Sequence, residues 1–239
     1  MTDQGGATNQ NYAGRWVARV RGQIVAQGGT PEQARRAAQA SRPKETPEII
    51  YMPPPSPFTF SPLLDKVRVA LPDVELYLVG GAVRDAMLGR ASLDLDLVAP
   101  SDGILLARRF ANALGADVFP LDDERDTGRV IVTMEDGSRE KIDFATYQGA
   151  SLDEDLHKRD FTLNAMAVDL RTMSLLDPLS GATDLRAKKL CACSDTSMSD
   201  DPIRVLRGIR QAAAYGFQIE PETRKKMKSA SPVLGQVSS

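Results

Sequence analysis

Pro53-Pro54-Pro55-Ser56-Pro57 restricts the fold of this chain more than any other segment. Prolines offer no backbone N–H to a helix or a sheet ladder, and tandem prolines favour stiff, extended polyproline geometry. The chain is therefore expected to fold as two pieces flanking a linker over 53–60. Its 239 residues allow this, since a single domain commonly takes about 100–150. Ahead of the linker, residues 1–14 are polar and rich in Gly, Asn and Gln, and read as a frayed tail. Trp16–Val20 and Gln23–Gln27 alternate around Arg21-Gly22, the pattern of a hairpin. Thr30-Pro31-Glu32-Gln33 spells a helix start, with Thr at the N-cap, Pro in the first turn and Gln closing a capping box. That helix should run to about Ser41, and Glu48–Met52 reads as a further strand. Residues 15–52 are thus expected to form a small ββαβ module. It holds no acid/base cluster or phosphate loop; Arg15, Arg19, Arg35 and Arg36 read first as a solvated face and second as an RNA contact.

Beyond the linker, strands alternate with helices. Glu75–Val79, Leu93–Val98, Val118–Leu121, Val130–Met134 and Lys141–Ala145 read as strands of a mixed sheet, with Asp136-Gly137 turning the last hairpin. Ala82–Leu88 and Asp102–Leu114 read as helices. Past Ser151 the pattern becomes mostly helical, broken by a hairpin around Arg171–Ser174. The fold class is α+β, a head of mixed sheet with flanking helices over 61–150 followed by a helical part over 151–239. A hydrophobic fraction of 42% and a net charge of −2 are ordinary for a globular chain and give no global positive field, though a local basic surface stays open. Two cysteines and one histidine exclude a disulfide framework and multi-His zinc sites. No apolar run reaches the ~18 residues of a membrane span, and the N-terminus lacks the features of a signal peptide. The expected address is the cytoplasm, with no membrane contact.

Chemistry concentrates at Gly80-Gly81, Arg84-Asp85 and Asp94-Leu95-Asp96. Glycines between a strand and a helix let the backbone approach a phosphate closely, although such a pair is more commonly a plain tight turn. Arg84 could reach the same anion, or pair with Asp85 or Glu75. In Leu93-Asp94-Leu95-Asp96-Leu97, period-two geometry sends the leucines to one face and both carboxylates to the other. Two parallel carboxylates repel unless a cation lies between them, and hard oxygen ligands suit Mg²⁺. The plain alternative is a half-exposed strand with solvated acids. Cys191-Ala192-Cys193 has no partner cysteines and reads as a strand with small side chains.

Leu78-Val79-Gly80-Gly81-Ala82-Val83-Arg84-Asp85-Ala86-Met87-Leu88-Gly89-Arg90 followed by Asp94-Leu95-Asp96 resembles the signature of the class II CCA-adding tRNA nucleotidyltransferase and bacterial poly(A) polymerase family. Lys158-Arg159-Asp160-Phe161-Thr162-Leu163-Asn164-Ala165-Met166 and Asp200-Asp201-Pro202-Ile203-Arg204-Val205-Leu206-Arg207 match two further family motifs in the right order. The likeness covers about residues 60–230 and implies a polymerase-β-like nucleotidyltransferase head followed by a neck. It implies that Asp94 and Asp96 are catalytic and hold two Mg²⁺ ions, and that Gly80, Gly81 and Arg84 cradle phosphates. Asp143 stands on a later strand where this superfamily often places a third acid; beside Lys141 it could equally be a surface residue. Asp160 would accept a hydrogen bond from the ribose 2′-hydroxyl, supported by Arg159. Asp201 and Arg204, spaced i and i+3 on one helix with Arg207 following, would template the incoming base, while Ile203, Leu206 and Ile209 sit on or near the buried face. Cytosine and adenine each show an amino donor beside a bare ring nitrogen, so one carboxylate and one guanidinium suit both, whereas uracil and guanine mismatch them.

The implied activity is addition of C and A from CTP and ATP to tRNA 3′ ends. An A-adding, CC-adding or poly(A) enzyme, and a non-catalytic nucleotide- or RNA-binding remnant, remain as alternatives. Leu121–Arg129 resembles a flexible loop of the family, and its charge density suggests mobility. Three departures stand out: Asp200 where Glu is usual, Gln148 where Arg is common, and an end at Ser239. Family members usually continue into helical body and tail domains that grip tRNA; here that grip is expected to be missing by truncation or supplied by a partner chain.

Overall fold

A computed structural model of the chain describes residues 12, 15–52, 60–90, 92, 94–134 and 136–236. Apart from residues 12 and 60, the expected tail over 1–14 and linker over 53–60 lie outside the described residues. The chain divides into two compact units, Met1–Pro57 with Arg171–Ser174 and Phe58–Leu170 with Leu175–Ser239.

The first unit contains β1 (Arg15–Val20), β2 (Gln23–Gly28), α1 (Pro31–Ser41) and β3 (Glu48–Met52), the expected ββαβ order. Its sheet runs β2-β1-β3 with antiparallel pairs. Arg21 and Gly22 take φ values of 49° and 81°, so this hairpin turn accepts an arginine where a smaller residue is usual. The Thr30 hydroxyl accepts from the Gln33 N–H at 3.2 Å, and Gln33 Oε1 accepts from the Gly29 N–H at 2.9 Å. Two orphan donors at the start of α1 are satisfied in this way. Ala34 and Ala38 form its buried stripe.

The second unit is built on a seven-stranded sheet. In chain order its elements are α2 (Leu63–Ala70), β4 (Tyr77–Val79), α3 (Gly81–Met87), β5 (Asp94–Ala99), α4 (Gly103–Leu114), β6 (Asp117–Asp122), β7 (Thr127–Thr133), β8 (Arg139–Thr146), α5 (Leu152–His157), a 3₁₀ turn (Thr162–Asn164), β9 (Ala167–Asp169) and β10 (Leu175–Leu176). The sheet order is β10-β9-β4-β5-β8-β7-β6. β5 and β8 pair in parallel and the other neighbours are antiparallel. The expected division at 150/151 cuts through this sheet, because β9 and β10 come from beyond it and Ala167 lies opposite Val79 of β4. Strands of three and two residues are too short to show period-two alternation, so their pairing is invisible without the tertiary fold. Next follow α6 (Gly181–Arg186), β11 (Lys189–Leu190), α7 (Ser197–Asp200), α8 (Ile203–Tyr215), β12 (Gln218–Ile219), α9 (Pro221–Ala230) and a closing 3₁₀ segment (Ser231–Gln236).

One face of the sheet is dry. Leu95, Leu97, Val130, Ile142 and Phe144 are buried there, and Phe110 of α4 meets Phe144 with ring centroids 5.5 Å apart. Glycine allows the close approach: a Cβ on Gly128 would lie 2.7 Å from that of Ala107, and one on Gly103 would lie 2.1 Å from the Asp126 carbonyl oxygen. The Asp126 carboxylate accepts from the N–H groups of Gly103 and Ile104 at 2.7 and 3.1 Å and from the Thr146 hydroxyl at 2.6 Å. Burial pushes the Asp126 pKa up, but the hydrogen bonds from Thr146 and from these N–H groups outweigh it and hold it below the ordinary carboxylate value. Residues 121–129, where charge density suggests a mobile loop, turn the β6–β7 hairpin. Asp126 caps α4 from outside, and Asp122 closes the turn on the Arg125 N–H at 3.0 Å.

α8 packs in the opposite sense to its amphipathic pattern. Ile203, Leu206 and Ile209 are 42%, 54% and 53% exposed, while Val205, Gly208 and Gln211 are buried. The helix turns its smallest residue inward because Phe161 fills the space: a Cβ on Gly208 would lie 2.6 Å from Phe161 Cζ. Arg84 ties α3 to this helix. Its Nε donates to Asp85 at 2.9 Å, Nη1 to Asn164 Oδ1 at 2.6 Å and Nη2 to the Tyr215 hydroxyl at 2.7 Å. Its guanidinium carbon also sits 4.6 Å from the Tyr215 ring centre.

Gly103→Ala should lower the urea midpoint, with a loss of about 2 kcal/mol or more, because backbone atoms of Asp126 and Ala145 cannot yield to the new methyl. Arg84→Ala should lower the thermal midpoint without any ligand present. Stranding Asp85, Asn164 and Tyr215 costs about 3 kcal/mol; a variant as stable as the parent would show that this node is not structural.

Candidate active site

The site begins at the end of β4. Gly80 takes φ 73° and ψ −136°, a region that an L side chain adopts only with strain. A Cβ there would lie 3.4 Å from Arg159 Nη1 and 3.5 Å from Asp96 Oδ2. The bare corner thus brings a guanidinium and a carboxylate to the same spot. β5 alternates as expected: Asp94 and Asp96 are exposed on one face, Leu95 and Leu97 buried on the other. Asp96 lies between Val79 of β4 and Asp143 of β8 in register. Crowding by protein, then the negative charges of Asp143 and Asp94, raise its pKa against the opposing pull of Arg159 and Arg129. Asp94 faces Lys141 across the strands, Oδ1 to Nζ 3.9 Å.

A cleft of ≈ 460 Å³ opens in front of these residues. It gathers Gly80, Gly81, Arg84, Asp94 and Asp96 from the sheet side with Arg159, Asp160, Arg204 and Arg207 from the helical side. Asp143 and Asp201 are not among its lining residues. Asp143 stands beside Asp96, but both of its oxygens are taken by Arg129, from Nε at 2.7 Å and Nη2 at 2.8 Å. Asp201 Oδ1 accepts from the Ile203 N–H at 3.1 Å, and Oδ2 lies 3.7 Å from Arg204 Nε. It precedes α8 instead of lying within it, as the i, i+3 placement had assumed; Pro202 occupies the N-cap position. Arg204 Nη1 donates to the carbonyls of Ser197 and Arg159 at 3.1 and 3.4 Å. Arg84 reaches the cleft wall, with one N–H each of Nε, Nη1 and Nη2 donated to Asp85, Asn164 and Tyr215. It is 7% exposed, and its main work in this arrangement is to hold two helices together.

Arg159 is held on one edge only. Nε and Nη2 donate to Asp155 Oδ2 at 3.0 and 2.8 Å, while Asp155 Oδ1 accepts from the Gln148 N–H at 2.9 Å. Nη1 is left beside the Gly80 corner. Asp160 is 5% exposed. Its Oδ1 accepts from the Phe161 N–H at 2.8 Å and Asn164 Nδ2 at 2.9 Å. Its Oδ2 is buried without a hydrogen-bond donor, although Arg207 Nη2 lies 3.3 Å away as an ion pair. A buried acceptor left open is costly unless a ligand completes it.

Arg125, Lys158 and Arg210 also line the cleft and were not anticipated. Arg210 continues the i, i+3 series from Arg204 and Arg207, so the spacing carried a usable signal; nothing local marked Arg125. Among the described residues no three His, Cys, Asp or Glu side chains come together as a metal cage. Cys191 and Cys193 are free thiols whose pKa burial pushes up to about 12. No helix among the described residues is long and apolar enough to cross a membrane.

Comparison with known proteins agrees with this geometry. Residues 76–191 match the family model of the poly(A) polymerase head domain. A CC-adding tRNA nucleotidyltransferase of Geobacter sulfurreducens is 42% identical over 161 residues, 67% of this chain and 37% of that protein. One from Synechocystis sp. is 39% identical over 171 residues, 71% of this chain and 40% of that protein. The structure of the Thermotoga maritima CCA-adding enzyme complexed with tRNA superposes with a TM-score of 0.64 at 31% identity, covering 74% of this chain and 42% of that one. The chain therefore spans about two fifths of the length of these relatives. With a head-domain match, ordered motifs and a shared fold, the chain belongs to the family of CCA-adding tRNA nucleotidyltransferases and poly(A) polymerases.

Proposed function

We propose that this chain carries the catalytic part of an RNA nucleotidyltransferase that adds C and A from CTP and ATP to tRNA 3′ ends without a nucleic-acid template, releasing pyrophosphate. The observation that carries the proposal is the pair Asp94 and Asp96, projecting from one face of β5 into a cleft beside the bare corner at Gly80. The donor set fits Mg²⁺. With Asp143 occupied by Arg129, two hard carboxylates remain, and this ion commonly takes one or two carboxylates and completes its shell with water and substrate phosphates. Asp94 and Asp96 would hold one or two such ions, which when bound would supply charge neutralisation at the triphosphate and a lowered pKa for the attacking hydroxyl.

The chain's own groups orient the substrates. Arg159, pinned by Asp155, presents Nη1 to a phosphate at the Gly80 corner, where Gly80 and Gly81 leave room for close approach. Asp160 Oδ2, ion-paired with Arg207 but without a hydrogen-bond donor, is the acceptor for a ribose hydroxyl, which favours ribonucleotides. Arg204 lines the cleft with Asp201 next to it, and a donor beside an acceptor matches the edges shared by cytosine and adenine. Restriction to C alone is a second reading, favoured by the 42% and 39% identities to CC-adding enzymes.

The deciding experiment supplies Mg²⁺, labelled CTP or ATP, and tRNAs ending before CCA, after the first C or after CC. Correct extension of every substrate supports C and A addition. Extension that stops after CC selects the second reading, and nucleotide binding with no extension of any RNA overturns both. Asp94→Ala and Asp96→Ala should each lower incorporation at least about a hundredfold with an unchanged circular dichroism spectrum; undiminished turnover in either would remove the metal assignment. Arg204→Ala should raise incorporation of UTP and GTP relative to CTP by about tenfold, the scale of one mismatched buried polar contact. A variant as selective as the parent would exclude base reading by this arginine.

A further inference from the structure

One lateral row of side chains crosses four strands of the large sheet. Asp96 on β5 lies opposite Asp143 on β8, Asp143 opposite Arg129 on β7, and Arg129 opposite Phe119 on β6. Cross-strand partners share a face, so the whole row stands on the side that carries Asp94 and Asp96, away from α4. Phe119 is 50% exposed in the middle of the edge strand. The Arg129 guanidinium is clamped by two bonds to Asp143 at 2.7 and 2.8 Å, which fixes its plane as well as its position. Neither residue lines the cleft, and neither has a part in the chemistry proposed above.

We propose that Phe119 and Arg129 form a stacking platform for bases of a single-stranded RNA 3′ end whose terminal hydroxyl reaches Asp94 and Asp96. This rests on the nucleotidyltransferase assignment. Unpaired RNA bases stack on aromatic rings and on guanidinium planes, a contact indifferent to base identity. Three inter-strand steps separate Asp96 from Phe119, about 14 Å. At about 3.4 Å per stacked nucleotide that is about four nucleotides, fewer if the strand is extended. The platform therefore meets the second to fourth nucleotides from the end. Lys141 flanks the row on the same face, two residues from Asp143, and Arg125 lines the cleft from the turn after β6; both suit the phosphates of such a strand. Another β-strand is a poor occupant, because Pro120 removes a donor and a register irregularity interrupts β6 between Pro120 and Asp122. In this arrangement Asp143 is a positioning residue for Arg129.

The test is fluorescence anisotropy of the full chain with 5′-labelled single-stranded oligoribonucleotides, intact or carrying one abasic site at each successive position from the 3′ end. The parent should lose about tenfold in affinity when the abasic site falls at the second to fourth positions. Phe119→Ala should bind the intact strand about tenfold more weakly and show no further loss at those positions, whereas Phe119→Trp should keep the parent's pattern. In steady-state assays Phe119→Ala should raise KM for the RNA and leave KM for CTP unchanged. Arg129→Lys, which keeps the charge but not the plane, should lose the abasic effect at one position. A Phe119→Ala variant with the parent's abasic profile overturns the platform. So does a change in sedimentation with unaltered RNA binding, which would assign the ring to a protein contact. The binding assay needs no turnover, so a Phe119-dependent profile without nucleotide addition would sink the enzyme assignment alone. Nucleotide addition unaffected by Phe119→Ala would sink the platform alone.

Discussion

At Gly80 the chain must leave a strand and enter a helix while keeping a positive φ of 73°, and everything chemically distinctive in the molecule is arranged about that turn. A side chain there would be strained by that φ and would sit in contact with Asp96 and Arg159, which arrive from a neighbouring strand and from the segment after α5. Asp94 and Asp96 face a cleft, where crowding by protein first, and then the negative charges of Asp143 and Asp94, raise the Asp96 pKa.

The cleft's cations are arranged by a common device. Each is secured on part of its surface by protein, and Arg159 has an edge to spare for a ligand. Asp155 holds Arg159, carbonyl groups of Ser197 and Arg159 hold Arg204, and Asp160 pairs with Arg207. Side chains fixed this way lose little entropy when a phosphate arrives. Arg84 differs: Asp85, Asn164 and Tyr215 hold each of its three nitrogens, so it joins the sheet side of the cleft to the helical side. The cleft keeps its shape because one of its own arginines acts as a rivet.

Much of this was legible in the residues. The alternation of Asp94-Leu95-Asp96-Leu97 dictates which side chains share a face, because the period of a strand is two whatever surrounds it. Thr30-Pro31-Glu32-Gln33 contains its own cap, and the hydrogen bonds of Thr30 and Gln33 form locally. Other readings failed where a distant residue decides. Leu121–Arg129 reads as a charged loop, yet its Asp126 places its carboxylate on the N-terminus of α4. Ile203, Leu206 and Ile209 make the greasier stripe of α8, yet Phe161 demands a glycine against it and turns that stripe outward.

The ββαβ order of the first unit and the common face of Asp94 and Asp96 were determined by the sequence itself, since local spacing and backbone stereochemistry suffice for them. The tertiary structure alone decided that Asp143 pairs with Arg129, that Arg84 serves as a bridge, that one Asp160 oxygen is buried against Arg207 without a hydrogen-bond donor, and that β9 and β10 complete the large sheet. These depend on which groups from remote parts of the chain compete for the same partner, and short-range pattern carries no record of that competition.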